Sequence, residues 1–349
     1  MEGLLSEVEI LDRVKADWTK PVVSFLCTTY NQESYIENAI KGFLEQKTSF
    51  PYEILIHDDN SMDGTKDIIE KYRLKYPNII RCIYQTENKY SKGFSTLAIA
   101  AKECKCDYIA LCEGDDYWIN EDKIENQFDF MKSDDSISMI VSPGNLECEG
   151  EILSELIGFH GKEPKVITAQ NVLDIADQFA PTASYFLKKD YLIKSRELFI
   201  KAPVGDLFIE LYSAIFGKLV YFPEVGSVYR IRAKNSWSER MVSDLLINKI
   251  LFIESMQNII DYSKSIKGFE NLVWDVKLSD FYFSLSIVYL NKKDINNFKK
   301  NIYISNFHRD LNGARKIIYC LRNQTFLLFS IRKTVIYFRN IFRRFFSSV

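Results

Sequence analysis

The chain contains 349 residues, 47% of them hydrophobic and 26% charged, and its formal net charge is -2 at pH 7. This balance is typical of a globular protein; it excludes a disordered chain and gives no overall attraction to nucleic acid. The 7 cysteines, an odd number without the spacing of a disulfide framework, indicate a reducing compartment. Residues 1–20 are acidic and helical in pattern, unlike a secretory signal, and no apolar run reaches the ~18 residues of a membrane span. We therefore expect a cytoplasmic protein that does not bind nucleic acid.

Apolar, β-rich runs alternate with helical patterns through the N-terminal half of the chain. The runs cover residues 21–28, 52–57, 79–84, 107–112 and 136–141. Strands that alternate with helices in this way predict an α/β fold, with a mainly parallel sheet flanked by helices.

The second half of the chain is mixed at first and then becomes helical in pattern. Its patterns predict helices at 168–176 and 206–216 and a strand at 182–187, and they are helical from about residue 240 onward. We predict three parts, which are an N-terminal helical segment, a main α/β domain and a helical C-terminal extension. Their boundaries are 1–20, 21–238 and 239–349.

Polar residues follow three of the predicted strands. They are Thr28 to Asn31, the pair Asp58-Asp59, and Glu113 to Asp116. Because the carboxyl ends of parallel strands meet at one edge of a sheet, we expect these groups to lie close together. Carboxylates that lie close together raise each other's pKa unless a cation is present, and their hard oxygen atoms suit Mg²⁺ or Mn²⁺. The alternative is a solvated turn that caps the following helix.

Three segments in order carry a family resemblance, and two shorter ones extend it. They are VSFLCTTYNQESYIENAI (23–40), EILIHDDNSMDGT (53–65), YIALCEGDDYW (108–118), PVGDLFIEL (203–211) and SVYRI (227–231). On these residues the sequence resembles the family 2 glycosyltransferases, which are inverting enzymes of the GT-A fold. The resemblance implies a GT-A domain over 21–238 that transfers a sugar from a nucleotide-sugar donor, UDP-linked or similar. It also implies Mn²⁺ or Mg²⁺ as cofactor, a glycan or lipid-linked acceptor, and a role in bacterial surface-polysaccharide synthesis.

The resemblance also implies roles for individual residues. Thr28, Tyr30 and Asn31 match the loop that holds the nucleotide, with Tyr30 packed on the base. Asp59, or else Asp58, matches the acid that contacts the base. Glu113, Asp115 and Asp116 match the DXD-type element, in which aspartates contact the ribose and the metal-bound diphosphate.

Residues farther along the chain are implied to complete the site. Asp206 matches the catalytic base that takes a proton from the acceptor hydroxyl, and its alternative role is a helix N-cap. Arg232 stands where many relatives carry a metal-binding histidine; a guanidinium pairs with a diphosphate but cannot ligate a cation. Trp118 would stack on a sugar or pack in the core. Tyr229-Arg230 and Trp237 are candidates for the acceptor groove.

The C-terminal residues 313–349 contain eight lysines and arginines and no acidic residue. Near the end, Arg332, Arg339 and Arg343 share one helical face, opposite a face of Ile, Val and Phe side chains. This pattern predicts a basic amphipathic helix on an anionic membrane surface, which would make the protein peripheral on the inner face of the cell membrane. The alternative is a terminal helix docked on the catalytic domain.

Two other functions compete with glycosyl transfer. A sugar nucleotidyltransferase would carry a glycine-rich basic loop after the first strand, and the segment TTYNQES has neither glycine nor a basic residue. A non-catalytic scaffold related to glycosyltransferases would not need the acids, all of which are present, although Arg232 keeps this alternative open.

Overall fold

A computed structural model describes residues 3–234, 236, 239 and 245–329. The described residues divide into two units. The larger comprises Met1–Val172, Asp177–Ser243 and Ser255–Leu272, and the smaller comprises Leu173–Ala176, Asp244–Glu254 and Val273–Val349. The boundaries at residues 20 and 238 stay predictions.

The larger unit is built on an eight-stranded sheet in the order β3-β2-β1-β4-β10-β6-β11-β9. Its strands are β1 Val23–Thr29, β2 Tyr52–Asp58, β3 Ile80–Tyr84, β4 Tyr108–Leu111, β6 Ile137–Val141, β9 Lys165–Ile167, β10 Phe186–Lys188 and β11 Lys218–Tyr221. Strands β3, β2, β1 and β4 are parallel neighbours, while β10 runs antiparallel between β4 and β6. The prediction of a mainly parallel sheet is therefore confirmed.

Helices connect the strands of this sheet. They are α1 Glu7–Arg13, α2 Ile36–Leu44, α3 Thr65–Lys75, α4 Thr96–Glu103, α5 Lys123–Lys132, α6 Ala169–Leu173, α7 Lys189–Lys194, α8 Arg196–Phe199 and α9 Gly205–Phe216. The predicted strand at 182–187 is wrong in its first half, where Thr182–Ser184 form a 3₁₀ turn and only Phe186–Lys188 are extended. The turn is closed by a hydrogen bond from the Ser184 N–H to the Pro181 carbonyl, a local contact that favours the turn over the strand.

A second sheet, with the strand order β5-β12-β7-β8, has no counterpart in the predictions from sequence. Its strands are β5 Tyr117–Trp118, β7 Gly144–Cys148, β8 Glu151–Ile157 and β12 Ser227–Arg230. Strand β8 is exposed along nearly its whole length, so it lacks the alternation of buried and exposed residues by which a strand is recognised. This sheet matters for function because β12 pairs with β5 immediately after the acidic residues 113–116.

Aromatic rings fill the core beneath the first strands. Phe25 stacks on Tyr52 with ring centroids 4.4 Å apart, and the Trp118 ring meets Phe43 edge-on at 4.7 Å. Helix α2 approaches β5 so closely that a Cβ at Gly42 would lie 2.6 Å from the Trp118 carbonyl oxygen. Glycine at this position therefore brings the helix against the strand that follows the acidic loop.

The smaller unit is helical, with α11 Asp275–Asn291, α12 Ile295–His308 and α13 Gly313–Cys320, and it includes the first half of α10 Leu245–Ser263. Its core contains Leu290, Phe298, Ile302, Leu311 and Leu328. A helical C-terminal region is therefore confirmed. Among the residues that the structure describes, no helix combines the length and the apolar character needed to cross a membrane.

Candidate active site at the carboxyl edge of the sheet

Hydrogen bonds join the loops that follow β1 and β2. The Asn31 N–H donates to Ser61 Oγ at 2.8 Å, and the Met62 N–H donates to Asn31 Oδ1 at 2.8 Å. The backbone at Asn31 is left-handed, with φ of 52°, a conformation that asparagine tolerates better than most residues. One residue later, the Gln32 N–H donates to Thr65 Oγ1 at 2.8 Å. The two loops therefore form one connected wall of the site.

A second layer of contacts strengthens this wall. The Glu33 N–H donates to Asp63 Oδ2 at 3.2 Å, and the Gly64 N–H donates to Glu33 Oε2 at 2.7 Å. Through these hydrogen bonds, each loop supplies the other with both donors and acceptors. Thr28 and Tyr30, the other predicted nucleotide contacts on this wall, are half-buried.

The two carboxylates at the end of β2 are buried and already have donors from the protein. Asp58 accepts hydrogen bonds from the hydroxyl and the N–H of Ser61. Asp59 accepts the Lys89 N–H on Oδ1 at 2.8 Å and the Tyr90 N–H on Oδ2 at 2.9 Å. Burial raises the pKa of Asp58, and the hydrogen bonds from Ser61 oppose that rise. Asp59 thus anchors the loop of residues 88–93 beside the site.

The acidic loop after β4 packs against the end of β1. The Gly114 N–H donates to the Thr28 carbonyl at 3.0 Å, and the Asp116 N–H donates to the Glu113 carbonyl at 3.1 Å. A Cβ on Gly114 would lie 2.5 Å from Gln32 Oε1 and 2.7 Å from Thr29 Oγ1. Only glycine fits here, and its presence brings the acids next to the wall formed by the first two loops.

The carboxylates of this loop destabilise one another's charged forms. Burial, followed by the charges of Asp115 and Glu113, raises the pKa of Asp116 well above its usual range. Desolvation within the loop, followed by the charges of Asp115 and Asp206, raises the pKa of Glu113. Part of the Glu113 surface reaches water, so solvent screens this group more than the buried Asp116. The direction of the shift still marks a site where negative charge is crowded.

Arg230, at the end of β12, holds the acidic loop in place. Its N–H donates to Asp116 Oδ1 at 2.9 Å, and its guanidinium donates to the Asp115 carbonyl at 2.8 Å. A further hydrogen bond of 2.8 Å joins its Nε to the Glu147 carboxylate, and the guanidinium lies 4.4 Å from the centre of the Tyr117 ring. The sequence suggested only an acceptor-groove role for Arg230, because the pairing of β12 with β5 that positions it has no local signal.

Asp206 lies in the first turn of α9, near the acidic loop. Its charge contributes to the raised pKa of Glu113, which places the two groups in one electrostatic neighbourhood. Asp206 Oδ1 accepts the Leu207 N–H at 2.8 Å, and Oδ2 accepts the Gln178 side-chain amide at 3.0 Å. The N-cap of this helix is Val204, so the alternative role of Asp206 as the cap residue is excluded. Gln178 was not anticipated, since nothing in the local pattern marks it.

Of four further predicted residues, the structure describes three. The Trp118 side chain is 2% exposed, and its Nε1 donates to the Ala183 carbonyl at 2.8 Å. The ring therefore belongs to the core, and the expectation that it stacks on a sugar is wrong. Arg232 is exposed and has a left-handed backbone, with φ of 58°. Tyr229 is half-buried, while Trp237 lies outside the described residues.

The acidic loop fits a divalent cation that is shared with a bound ligand. Asp116 Oδ2 is buried and has no hydrogen-bond partner among the described residues, although acidic neighbours crowd it. Within the same part of the chain, His, Cys, Asp and Glu side chains do not gather in a group of three or more around one point. A cation here would take its remaining ligands from a diphosphate and water, which is how Mg²⁺ commonly binds beside one or two carboxylates.

A mainly parallel sheet with acidic loops along its carboxyl edge defines an α/β domain of the kind that binds ligands at that edge. Residues 24–197 match the family model described as Glycosyl transferase family 2, and the chain belongs to this family. The family that the sequence resembles is therefore confirmed.

Several curated proteins are similar in sequence. An uncharacterized protein of Mycobacterium tuberculosis is 30% identical over 221 residues, which cover 62% of this chain and 60% of that protein. The dTDP-rhamnosyl transferase RfbG of Shigella flexneri is 32% identical over 49% of this chain and 57% of its own length. The Escherichia coli UDP-Glc:alpha-D-GlcNAc-diphosphoundecaprenol beta-1,3-glucosyltransferase WfaP is 39% identical over 32% of this chain and 42% of its own. The chain thus spans about 60% or less of the length of these relatives.

Two solved structures share the fold. S. aureus TarS 1-349 in complex with UDP-GlcNAc has a TM-score of 0.50 and 16% identity, covering 82% of this chain and 92% of that one. The mannosyltransferase PcManGT from Pyrobaculum calidifontis, in complex with GDP-Man and Mn²⁺, has a TM-score of 0.51 and 14% identity, covering 90% and 87%. At these identities the likeness concerns the fold alone, and the predicted GT-A fold is confirmed.

Proposed function

We propose that the chain is a metal-dependent, inverting glycosyltransferase that moves a sugar from a nucleotide-diphosphate donor, UDP-linked or similar, to a hydroxyl group of a glycan. The observation that carries this proposal is the acidic loop, in which the buried Asp116 Oδ2 has no hydrogen-bond partner among the described residues. Asp206 lies close enough to raise the pKa of Glu113 in the same loop. This charge effect supports Asp206 as a base beside a position that would favour a cation and a diphosphate.

The reaction divides between the two sides of this site. On the donor side, Thr28, Tyr30 and Asn31 would bind the nucleoside, with Asp58 and Asp59 behind them, and Asp115 would contact the ribose. Asp116, with either Asp115 or Glu113 beside it, would hold Mn²⁺ or Mg²⁺, which when bound offsets negative charge on the departing diphosphate.

On the acceptor side, Asp206 accepts the proton of the acceptor hydroxyl as its oxygen attacks the anomeric carbon. The bond between that carbon and the diphosphate oxygen breaks, and the nucleoside diphosphate leaves from the opposite face of the sugar. Attack from the opposite face inverts the anomeric configuration. Gln178 would hold the Asp206 carboxylate in position through its hydrogen bond to Oδ2.

The relatives support a role in surface-polysaccharide synthesis with a lipid-linked acceptor. The name of WfaP specifies a UDP-glucose donor and a diphosphoundecaprenol-linked acceptor, and RfbG is named as a dTDP-rhamnosyl transferase. Because the names of these two relatives specify different nucleotides, UDP- and dTDP-sugars are both candidate donors of this chain. We assign the acceptor to the lipid-linked class.

Donor binding tests the proposal directly. Nucleotide sugars are screened for thermal stabilisation with and without Mn²⁺, and we expect at least one UDP- or dTDP-sugar to raise Tm only when the metal is present. Asp206→Asn should keep this shift and lose transfer, because the substitution removes the base and leaves the donor wall intact. No shift with any donor, or full transfer by Asp206→Asn, would overturn the proposal.

We also propose contact with the cytoplasmic face of an anionic membrane through residues 313–349. Residues 330–349, which carry the amphipathic pattern, lie outside the described residues. Of the described basic side chains, Arg315 forms an ion pair with Asp280 at 2.7 Å, and Arg322 lies over the Tyr319 ring. The contact is therefore assigned mainly to Arg332, Arg339 and Arg343.

Charge reversal in the full chain tests the membrane contact. Replacing Arg332, Arg339 and Arg343 together by Glu should abolish co-sedimentation with phosphatidylglycerol vesicles. Transfer to a soluble acceptor should stay unchanged, and neutral phosphatidylcholine vesicles serve as the control. Undiminished binding to the anionic vesicles would exclude this surface.

A further inference from the structure

A buried hydrogen bond links the acidic edge of the sheet to the helix that carries Asp206. The Tyr185 hydroxyl donates to Glu210 Oε1 at 2.6 Å, and Tyr185 is 0% exposed while Glu210 is 1% exposed. So short a distance between two oxygen atoms is typical of a hydrogen bond to an ionised carboxylate, which is stronger than one between neutral groups. Neither residue has a role in the reaction described above.

Tyr185 adjoins the acidic loop. Its carbonyl oxygen accepts the Leu111 N–H at 3.0 Å, and Leu111 is the last residue of β4, two residues before Glu113. Burial raises the pKa of Tyr185, and so do the charges of three carboxylates, which are those of Glu210, Asp206 and Glu113 in that order. The acidic loop and the proposed base therefore lie within electrostatic reach of one phenol.

Glu210 lies on α9, one turn after Asp206. At a spacing of four residues, the two side chains are on the same face of the helix. The residue before the helix is Val204, whose apolar side chain cannot accept a hydrogen bond from the first turn. The far end of α9 is held separately, since Ser138 Oγ donates to the Ser213 carbonyl at 2.9 Å. The first turn of α9 therefore depends for its position on contacts such as that of Glu210.

We propose that Tyr185 and Glu210 are positioning residues, whose hydrogen bond fixes the first turn of α9 and so holds the Asp206 carboxylate in place relative to the acidic loop. This inference rests on the proposed function, since it concerns the base of that same reaction. Gln178 orients the carboxylate itself, whereas this pair positions the helix that carries it. The geometry is worth fixing, because a displacement of about 1 Å can lower a rate by roughly 100-fold.

A second buried tyrosine provides a matched control for a purely structural role. The Tyr72 hydroxyl donates to Glu37 Oε1 at 2.9 Å, and Tyr72 is also 0% exposed. This hydrogen bond joins α3 to α2 rather than the acidic edge to α9. Replacing either tyrosine by phenylalanine removes one hydroxyl and one hydrogen bond to a glutamate. If both hydrogen bonds only stabilise the fold, the two variants should lower Tm similarly and neither should change catalysis.

Tyr185→Phe in the full chain tests the inference, with Tyr72→Phe as the control. Transfer is measured with UDP- and dTDP-sugars, Mn²⁺ and GlcNAc-diphosphoundecaprenol, the acceptor in the name of WfaP. We expect Tyr185→Phe to lower kcat by about tenfold and to leave the KM for the donor unchanged, because the base moves while the donor wall stays intact. Tyr72→Phe should keep the kcat of the parent. Glu210→Gln should fall between the two, because its amide oxygen still accepts the Tyr185 hydroxyl in a weaker, neutral hydrogen bond.

Hydrogen exchange gives a readout that does not depend on activity. Amides in the first half of α9, residues 205–211, should exchange faster in Tyr185→Phe than in Tyr72→Phe, because the hydrogen bond that holds this segment is lost. Equal kcat values in the two variants, or equal exchange in α9, would overturn the inference. So would a Glu210→Gln variant as impaired as Tyr185→Phe, since the charge and not the hydrogen bond would then be the cause. A parent that transfers no sugar from any donor would contradict the proposed function, while the exchange comparison would still decide whether Tyr185 holds α9.

Discussion

Two acidic strand ends meet at the same edge of the sheet, and they are in opposite chemical states. At the end of β2, all four carboxylate oxygens of Asp58 and Asp59 accept hydrogen bonds from the protein. At the end of β4, Asp116 Oδ2 is buried without a partner among the described residues, and neighbouring acids raise the pKa of Asp116 and Glu113. In sequence both are short acidic segments after an apolar strand.

The difference teaches how structural acids are told apart from ligand-binding acids. A buried carboxylate with donors from the protein is stabilised by those hydrogen bonds. It also holds the donor segment in place, as Asp59 does for loop 88–93. A buried carboxylate that lacks donors and stands beside other acids destabilises the ligand-free protein and gains from a cation. The pair after β2 has donors from the fold on every carboxylate oxygen, whereas Asp116 in the loop after β4 lacks one on Oδ2 among the described residues.

The strongest test of this comparison is Asp116→Asn. We expect transfer activity to fall by at least ~100-fold, because a carboxylate that supports the metal and diphosphate is lost. In the absence of metal, Tm should rise, because one of several mutually repelling acids is neutralised in a buried position. Activity assays and thermal unfolding measure the two effects, and Mn²⁺ together with a donor should stabilise the variant less than the parent. A lower Tm in the metal-free variant would contradict the comparison.

Gln178→Ala tests the link between the acidic edge and the base. Loss of the hydrogen bond to Asp206 Oδ2 should lower kcat by about tenfold and leave the KM for the donor unchanged. Because a hydrogen bond to the charged form lowers a carboxylate pKa, its removal should also move the acidic limb of the pH–kcat profile to higher pH. A purely structural role for Gln178 would instead lower Tm and leave the pH profile in place.

The same substitution at the other strand end should have the opposite effect on stability. Asp59→Asn turns an amide NH₂ toward either the Lys89 or the Tyr90 N–H and leaves that donor without an acceptor. We expect a loss of about 1–3 kcal/mol in the free energy of unfolding, measured without nucleotide by denaturant titration. Hydrogen exchange should accelerate in loop 88–93 before it does elsewhere. An unchanged exchange rate there would show that Asp59 does not anchor the loop.

The buried amine of Lys123 extends the comparison and gives the smallest expected effect. Burial lowers the pKa of Lys123 to about 7, while its amine donates to Gln127 Oε1 at 2.8 Å and lies over the Trp118 ring. Between pH 7 and the usual lysine pKa of about 10.4, the unfolded chain binds the proton and the folded chain does not, so this group makes the protein more stable as pH rises. The Tm of Lys123→Met minus that of the parent should therefore be largest at pH 7 or below and should decrease toward pH 10. A difference that does not vary with pH would show that Lys123 is charged in the folded state throughout.

The main sheet and the acidic edge were predictable because their signals are local. The apolar runs of β1, β2, β3, β4 and β6 are separated by helical patterns, and the fold rule for parallel sheets then brings their ends together. The same rule placed residues 28–31, 58–59 and 113–116 at one edge before any contact was known.

Contacts between distant segments set the limits of that prediction. Arg230 reaches the acidic loop only because β12 pairs with β5, and Gln178 meets Asp206 across a stretch of chain that contains β10, α7 and α8. Trp118 follows the acids directly, yet the close approach of α2 at Gly42 encloses it in the core. Each of these positions depends on tertiary packing. The spacing of residues along the chain does not predict such contacts.

The hydrogen-bonded loops after β1 and β2 limit how donor specificity could be changed by grafting a loop from a relative. Asn31 and Glu33 from one loop and Ser61 and Asp63 from the other supply each other's hydrogen bonds, and Gly114 closes on the same junction. A chimera that imports one loop alone would break the pairing and lose order in both. The smallest unit that could be grafted to change nucleotide choice therefore comprises both loops together with Gly114, which packs against them.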